Sequence, residues 1–236
     1  MLKRLLKNIL ILNTQLEVNK VVDQLLEPEG VKILSFVNAH AVNLMFNNEE
    51  FRRYILSSDF LLRDGIGVKI AMKSYGLSSG LNMNGTDFIP TLLSSIKRKR
   101  LAVFGTDSKR LKFAVDKLRD KNLVCSRDGF GDFGDYIVLC EKYRPEVILL
   151  GMGMPKQEKI AALLKEELTH SCLIINGGAI IDFMSGEIDR APEFVRSLSL
   201  EWFWRLLMEP KRLWRRYLIG NAIFLLRLII YRRDLD

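Results

Sequence analysis

The chain has 236 residues, of which 48% are hydrophobic, enough to build a real core and unlike a disordered protein. Its formal net charge of +8 points to an anionic partner: nucleic acid, lipid headgroups or a phosphorylated ligand. Cys125, Cys140 and Cys172 are odd in number, far apart and without a CxxC pair, so they suggest neither a disulfide framework nor a zinc site, and a reducing cytoplasm suits them.

The first residues, Met1 to Asn8, are basic, but the apolar run at 9–12 is too short for a signal peptide and ends without a cleavage pattern. That run reads as a first strand, followed by a helix over 16–26 and a strand over 31–37. A long helix over 41–56, a strand at 60–62, and helices over 67–75 and 87–97 come next. Strands at 101–104, 147–150 and 173–175 then alternate with helices over 109–120, 136–143 and 156–168. This alternation predicts an α/β fold: a mainly parallel, Rossmann-like sheet with helices on both faces.

Composition shifts near Arg190-Ala191-Pro192-Glu193, where strands stop and a basic, aromatic, helical pattern begins. We place a boundary there, giving an α/β core over 1–192 and a helical, membrane-associating appendage over 193–236. All three tryptophans lie in this tail, interleaved with arginines. At ~3.6 residues per turn, Arg212, Arg216 and Arg227 project to one side of a helix beginning after Pro210. Trp214, Leu218, Leu225 and Leu228 fall near the other side. A basic face backed by an apolar one suits a membrane surface. The longest apolar stretch, 217–231, falls short of the ~20 residues that span a bilayer and carries Arg227. The tail therefore reads as lying on the membrane or packing on the core.

Parallel sheets bind ligands beyond the carboxyl ends of their strands, so residues just after the apolar runs matter most. Asp64-Gly65-Ile66-Gly67 follows one run; Asp64 could stand at the crevice, or simply cap a helix. Asn38 offers a donor and an acceptor at the same rim, or serves as a turn or cap residue, and His40 reads as packed or capping. Gly105-Thr106-Asp107 could admit a nucleotide backbone or be an ordinary strand–helix turn. Asn84-Gly85-Thr86-Asp87 reads as a turn with Thr86 or Asp87 as cap.

Gly129-Phe130-Gly131-Asp132-Phe133-Gly134 matches GxGxxG literally. Its position, its bulky phenylalanines and the acidic Asp128, Asp132 and Asp135 argue against a dinucleotide site. The fullest block is Gly151-Met152-Gly153-Met154-Pro155-Lys156-Gln157-Glu158. Two glycines let a strand end approach a ligand, and the following helix turns its free N–H groups toward an anion. Lys156 adds a charge and Gln157 an amide, and Gly177 and Gly178 form a second close turn.

No P-loop, Ser-His-Asp pattern or HExxH occurs, and the DxD of Asp234 and Asp236 reads as a solvated tail, so no metal site is expected. A reaction expelling a nucleotide diphosphate would then need protein cations, for which the tail arginines are candidates.

Together these residues resemble the WecG/TagA/CpsF family of bacterial glycosyltransferases. The resemblance runs through Asn38-Ala39, Asp64-Gly65-Ile66, Gly85-Thr86-Asp87, the 151–158 block, Gly177-Gly178-Ala179, Asp182-Phe183, Gly186 and Arg190-Ala191-Pro192. It continues through Leu200-Glu201-Trp202 and Arg205-Leu206-Leu207 to Glu209-Pro210. It implies an inverting, metal-independent transfer of a hexose of the N-acetylmannosamine type. The donor would be a UDP-sugar, with no cofactor, and the acceptor an undecaprenyl-diphosphate-linked glycan.

By the same resemblance Asp64 would be the base, and Asn38 and Gln157 would line the site. Arg205, Arg212, Arg215 and Arg216 would belong to an appendage closing over it at the cytoplasmic face of the inner membrane. Gly105, Thr106, Gly151, Gly153, Lys156, Gly177 and Gly178 complete the expected substrate-binding set. Two departures stand out: Phe36 where some members carry Thr, and Asn82 where many carry Arg. A nucleic-acid-binding protein or a nucleotide-sensing module are the rival classes, and the motif series sets both behind. Homo-oligomers, with the tail repacked at a subunit contact, stay open.

Overall fold

The structure is a computed structural model that describes residues 1–96 and 98–232. The predicted helix end at Lys97 and the Asp234/Asp236 pair lie outside these.

Six parallel strands form one sheet in the order β2-β1-β6-β5-β3-β4. They are β1 (Val31–Val37), β2 (Phe60–Arg63), β3 (Leu101–Gly105), β4 (Leu123–Arg127), β5 (Val147–Gly151) and β6 (Cys172–Asn176). Strands β3, β5 and β6 are buried along their whole length, which explains their unbroken apolar sequences. Helices α1 (Leu2–Asn8), α2 (Gln15–Leu26), α3 (Ala39–Asn47), α4 (Glu49–Leu56), α5 (Gly65–Ser74) and α6 (Gly85–Ser95) lie in the first half. Helices α7 (Ser108–Asp116), α8 (Phe133–Tyr143), α9 (Lys156–Glu167) and α10 (Ile180–Ser185) complete the alternation. One apolar cluster packs α2, α6, α7 and α10 against one face of the sheet, and a second packs α8 and α9 against the other.

Three predicted elements come out differently, and one strand is new. The run at 9–12 forms no strand; it follows α1, and only an isolated parallel bridge joins Ile9 to Leu61. Strand β4 was absent from the sequence reading because Leu123-Val124-Cys125-Ser126-Arg127 sits half-buried at the sheet edge and does not alternate cleanly. The helix expected over 41–56 is two helices, because the Asn48 side chain caps α4 by accepting the Phe51 N–H at 2.9 Å. Helix α6 is capped by Asn84, whose Oδ1 accepts the Asp87 N–H at 2.9 Å, rather than by Thr86 or Asp87. The GxGxxG look-alike is a loop leading into α8, where the Asp132 N–H donates to Asp135 at 3.0 Å.

Past residue 192 the chain is helical: α11 (Glu193–Ser197), α12 (Glu201–Met208), α13 (Pro210–Trp214), a π-helical turn (Arg215–Ile219) and α14 (Gly220–Arg232). The orientation of α14 refines the expected amphipathic picture. Phe224 and Leu228 are buried in a third apolar cluster with residues of α1, α3, α4 and α5. Arg227 points inward too, donating to the Asn43 carbonyl at 3.0 Å, to Asn43 Oδ1 at 2.8 Å and to Asn47 Oδ1 at 2.7 Å, while stacking on Phe46. At Arg227 the basic side thus meets the core, where Asn43 and Asn47 receive it. Trp214, Leu218, Leu225, Leu226, Ile229 and Ile230 are left exposed. Among the described residues no helix is long and apolar enough to cross a membrane.

Candidate active site

A crevice of about 880 Å³ opens beyond the carboxyl ends of the strands, within the usual range for a small-molecule site. Its floor is made by the turns after β1, β2, β3, β5 and β6, and its roof by α12, α13 and the π-helical turn. Of the expected residues, Asp64, Asn38, Thr106, Gly151, Gly153, Lys156, Gln157, Gly177, Gly178, Arg205, Arg212, Arg215 and Arg216 all line it. Gly105 does not. A side chain there would overlap the Gly151 backbone, so this glycine serves the close approach of β3 and β5.

Asn38 answers both of its readings. Its Oδ1 caps α3 by accepting the Ala41 N–H at 3.0 Å, and its Nδ2 donates to Asp64 Oδ2 at 3.2 Å. Asp64 stands at the N-cap position of α5, yet its side chain makes no capping bond. Burial raises its pKa above the ordinary carboxylate value, while the Asn38 amide and the Arg216, Arg205 and Arg63 guanidinium groups hold it back. A carboxylate so placed is a stronger base than a free aspartate while staying accessible from the crevice.

The arginines divide in two. Arg205 lies over the Phe183 ring, with its centre 5.3 Å from the centroid, and Arg216 lies 5.5 Å from the Tyr217 centroid. Both have a buried Nε with no hydrogen-bond partner. Burial lowers the Arg216 pKa and the charges of Arg205 and Arg212 add to this, while Asp64 opposes it. Arg205 and Arg216 nonetheless line the crevice, and guanidinium groups suit phosphate oxygens. Arg212 bonds Glu209 at 2.7 Å, a carboxylate that Arg205 also approaches at 3.8 Å, and Arg215 stacks on the exposed Trp214. The π-helical turn widens the helix at Arg215–Ile219, a local device that re-aims side chains and recurs at functional sites.

In the 151–158 block, two of the side chains that line the crevice are also tied to neighbouring groups. Lys156 turns its ammonium onto the neighbouring loop, donating to the Gly129 carbonyl at 2.7 Å. Gln157 is buried, and both ends of its amide are used internally: Oε1 accepts the Gly178 N–H at 3.0 Å and Nε2 donates to Glu158 at 2.8 Å. Gly178 has φ +60, a conformation a side chain would strain, so Gln157 pins a turn that only glycine can make. Burial pushes Glu158 up to about 7 despite the Gln157 bond.

At the far flank, Thr106 donates to Asp182, which also lies 3.9 Å from Arg110. Asp182 appeared in the motif series without a role; Arg110 carried no sequence signal beyond its place in a helix. His40 lines the crevice wall, and burial together with Arg216 lowers its pKa to about 4, so it is neutral at physiological pH. Among the described residues no three His, Cys, Asp or Glu side chains gather as a metal site.

Fold and crevice together define a parallel α/β protein with an arginine-lined crevice at the carboxyl edge of its sheet. The chain belongs to the glycosyl transferase WecG/TagA/CpsF family, whose model matches residues 6–236, and it is therefore a glycosyltransferase. It is similar to the N-acetylglucosaminyldiphosphoundecaprenol N-acetyl-beta-D-mannosaminyltransferase of Bacillus subtilis (strain 168). The two are 28% identical over 193 residues, which cover 79% of this chain and 75% of the relative. A protein with the same description from Bacillus spizizenii is 28% identical over 178 residues, covering 72% of this chain and 68% of the relative.

Proposed function

We propose that this glycosyltransferase moves an N-acetylmannosamine-type hexose from a UDP-sugar to an undecaprenyl-diphosphate-linked N-acetylglucosamine, with inversion and without a metal. One observation carries the reading: Asp64, bonded to Asn38, shares a crevice with Arg205 and Arg216. The relatives' described activity supports the acceptor.

Asp64 takes the proton of the acceptor hydroxyl as its oxygen bonds to the anomeric carbon from one face. The bond from that carbon to the UDP oxygen breaks on the other face, and Arg205 and Arg216 meet the charge left on the diphosphate. The turns after β2 and β3 lie four strand intervals apart, roughly 19 Å at the usual spacing. The nucleoside then sits toward Thr106 and Asp182, where a carboxylate suits ribose hydroxyls and disfavours phosphate. The sugar lies toward Asp64. The exposed apolar residues of the tail rest on the cytoplasmic face of the membrane, where the lipid acceptor is found.

A screen of UDP-sugars for transfer onto a synthetic polyprenyl-diphosphate N-acetylglucosamine tests this directly. Transfer with an inverted linkage, undiminished by a chelator, is expected. UDP binding with no transfer to any lipid acceptor would overturn the reading, and loss of activity with the chelator would overturn its metal independence.

A further inference from the structure

An aspartate at an N-cap ordinarily bonds the free N–H groups of its own helix. Asp64 does not, and its side chain goes to Asn38 instead. The helix end is served from elsewhere. The Gly65 N–H, the first of α5, donates to Asn82 Oδ1 at 3.1 Å. The same oxygen accepts Arg63 Nη1 at 3.1 Å. Two converging donors fix which end of the Asn82 amide faces them.

Arg63 is the other half of this clamp. It ends β2, directly before Asp64, and is 4% exposed. Its remaining bonds go to backbone carbonyls: Nε to Ser79 at 2.9 Å, Nη2 to Gly80 at 3.2 Å and Nη1 to Gly65 at 3.1 Å. The loop it grips is held from behind as well, since the Leu81 N–H donates to the Leu12 carbonyl at 2.6 Å. The Met83 N–H returns to the Arg63 carbonyl at 3.2 Å. The planar fork of a guanidinium suits such a multiple grip, and lysine would not reproduce it.

We propose that Asn82 is a positioning residue: its Oδ1 holds the Gly65 N–H and the Arg63 side chain, one on each side of Asp64, and so keeps the Asp64 carboxylate turned to Asn38 and the crevice. Without Asn82 the residues on both sides of Asp64 lose a shared acceptor, and the carboxylate can turn back to the ordinary capping donors, the N–H groups of Ile66 and Gly67. Swinging back to cap, that carboxylate would leave the acceptor hydroxyl and lose basicity to the helix dipole. This rests on the reading of Asp64 as the base.

The test compares wild type, Asn82→Ala, Asp64→Asn and the double variant, by kcat and KM in the transfer assay and by thermal unfolding. A displaced base costs about 10- to 100-fold in kcat. Asn82→Ala is expected to show that loss with KM changed less than about twofold, and to add no further loss in the Asp64→Asn background. If Asn82→Ala does not fold, Asn82→Ser is measured in its place and is expected to fall in the same direction. An equal loss in both backgrounds, or an unchanged kcat beside an inactive Asp64→Asn, overturns the proposal alone. Near-normal turnover of Asp64→Asn overturns the base role and this proposal with it.

Discussion

Phe224→Ala separates the tail's docking from the stability of the sheet. Phe224 is 1% exposed and packs among Val42, Met45, Val68 and Leu228, against the backbone of Gly67. Truncating a phenylalanine so enclosed costs about 3–5 kcal/mol. The outer face of α14 is exposed, so the helix can lift away without opening the sheet, and the loss falls on docking. At about 1.4 kcal/mol per tenfold, the lower figure shifts the docking equilibrium by roughly a hundredfold. Leu228, the Arg227 bonds to Asn43 and Asn47, and the Tyr75 hydroxyl on the Tyr231 carbonyl at 3.0 Å remain to oppose release. Hydrogen exchange followed by mass spectrometry reads the two regions separately. Amides over 215–232 should exchange roughly a hundredfold faster, those of β3, β5 and β6 should be unchanged, and turnover should fall as Arg216 loses its placement. Unchanged protection of the tail would refute the docking account. Equal acceleration in the sheet would show that tail and core open as one unit.

Three further outcomes are expected. Arg216→Met should lower turnover on a short-chain, water-soluble acceptor by 10-fold or more, whereas Arg215→Met should act only on membranes, because Arg216 faces Asp64 and Arg215 stacks on exposed Trp214; equal effects on the soluble acceptor would contradict this. Glu158 has a folded pKa of about 7, above the ~4.3 of an unfolded chain. Its contribution to stability is therefore full below about pH 4.3 and is lost as pH rises through about 7. Denaturation midpoints at pH 5 and 8 should differ less in Glu158→Gln than in wild type, and an unchanged difference would remove Glu158 from that role. Leu226→Glu with Ile230→Glu, both on the exposed face of α14, should reduce binding to anionic vesicles without changing the melting temperature; undiminished binding would place the membrane surface elsewhere.

Much of the architecture was legible because buried parallel strands write themselves as apolar runs, as at Val147–Gly151 and Cys172–Asn176. The crevice followed from a single rule, that ligands sit beyond strand ends, and Asn38, Asp64, Thr106 and Gly151 do line it. What stayed hidden depends on partners distant in sequence. Residues 9–12 look like a strand in isolation, but their only ladder contact is one bridge at the sheet edge. The tail's amphipathicity was visible, yet which side meets protein is decided by Asn43 and Asn47 on α3, which receive Arg227. Lys156 was visible as a charge in a glycine-rich turn, but not its bond to the carbonyl of Gly129, 27 positions away. Asn82 stood out in the sequence only as a departure from the family's arginine; its contacts emerge only once Arg63 and Gly65 face it.

The pH dependence of turnover in wild type and Asp64→Asn, measured with a UDP-sugar and a polyprenyl-diphosphate acceptor, tests the central claim most directly. The raised pKa of Asp64 places the acid limb of kcat/KM above the ordinary carboxylate range. Activity rises with pH as the group loses its proton. Asp64→Asn should turn over ~100- to 10,000-fold more slowly and should lack that limb. A variant with near-normal turnover and an unchanged acid limb would contradict the account.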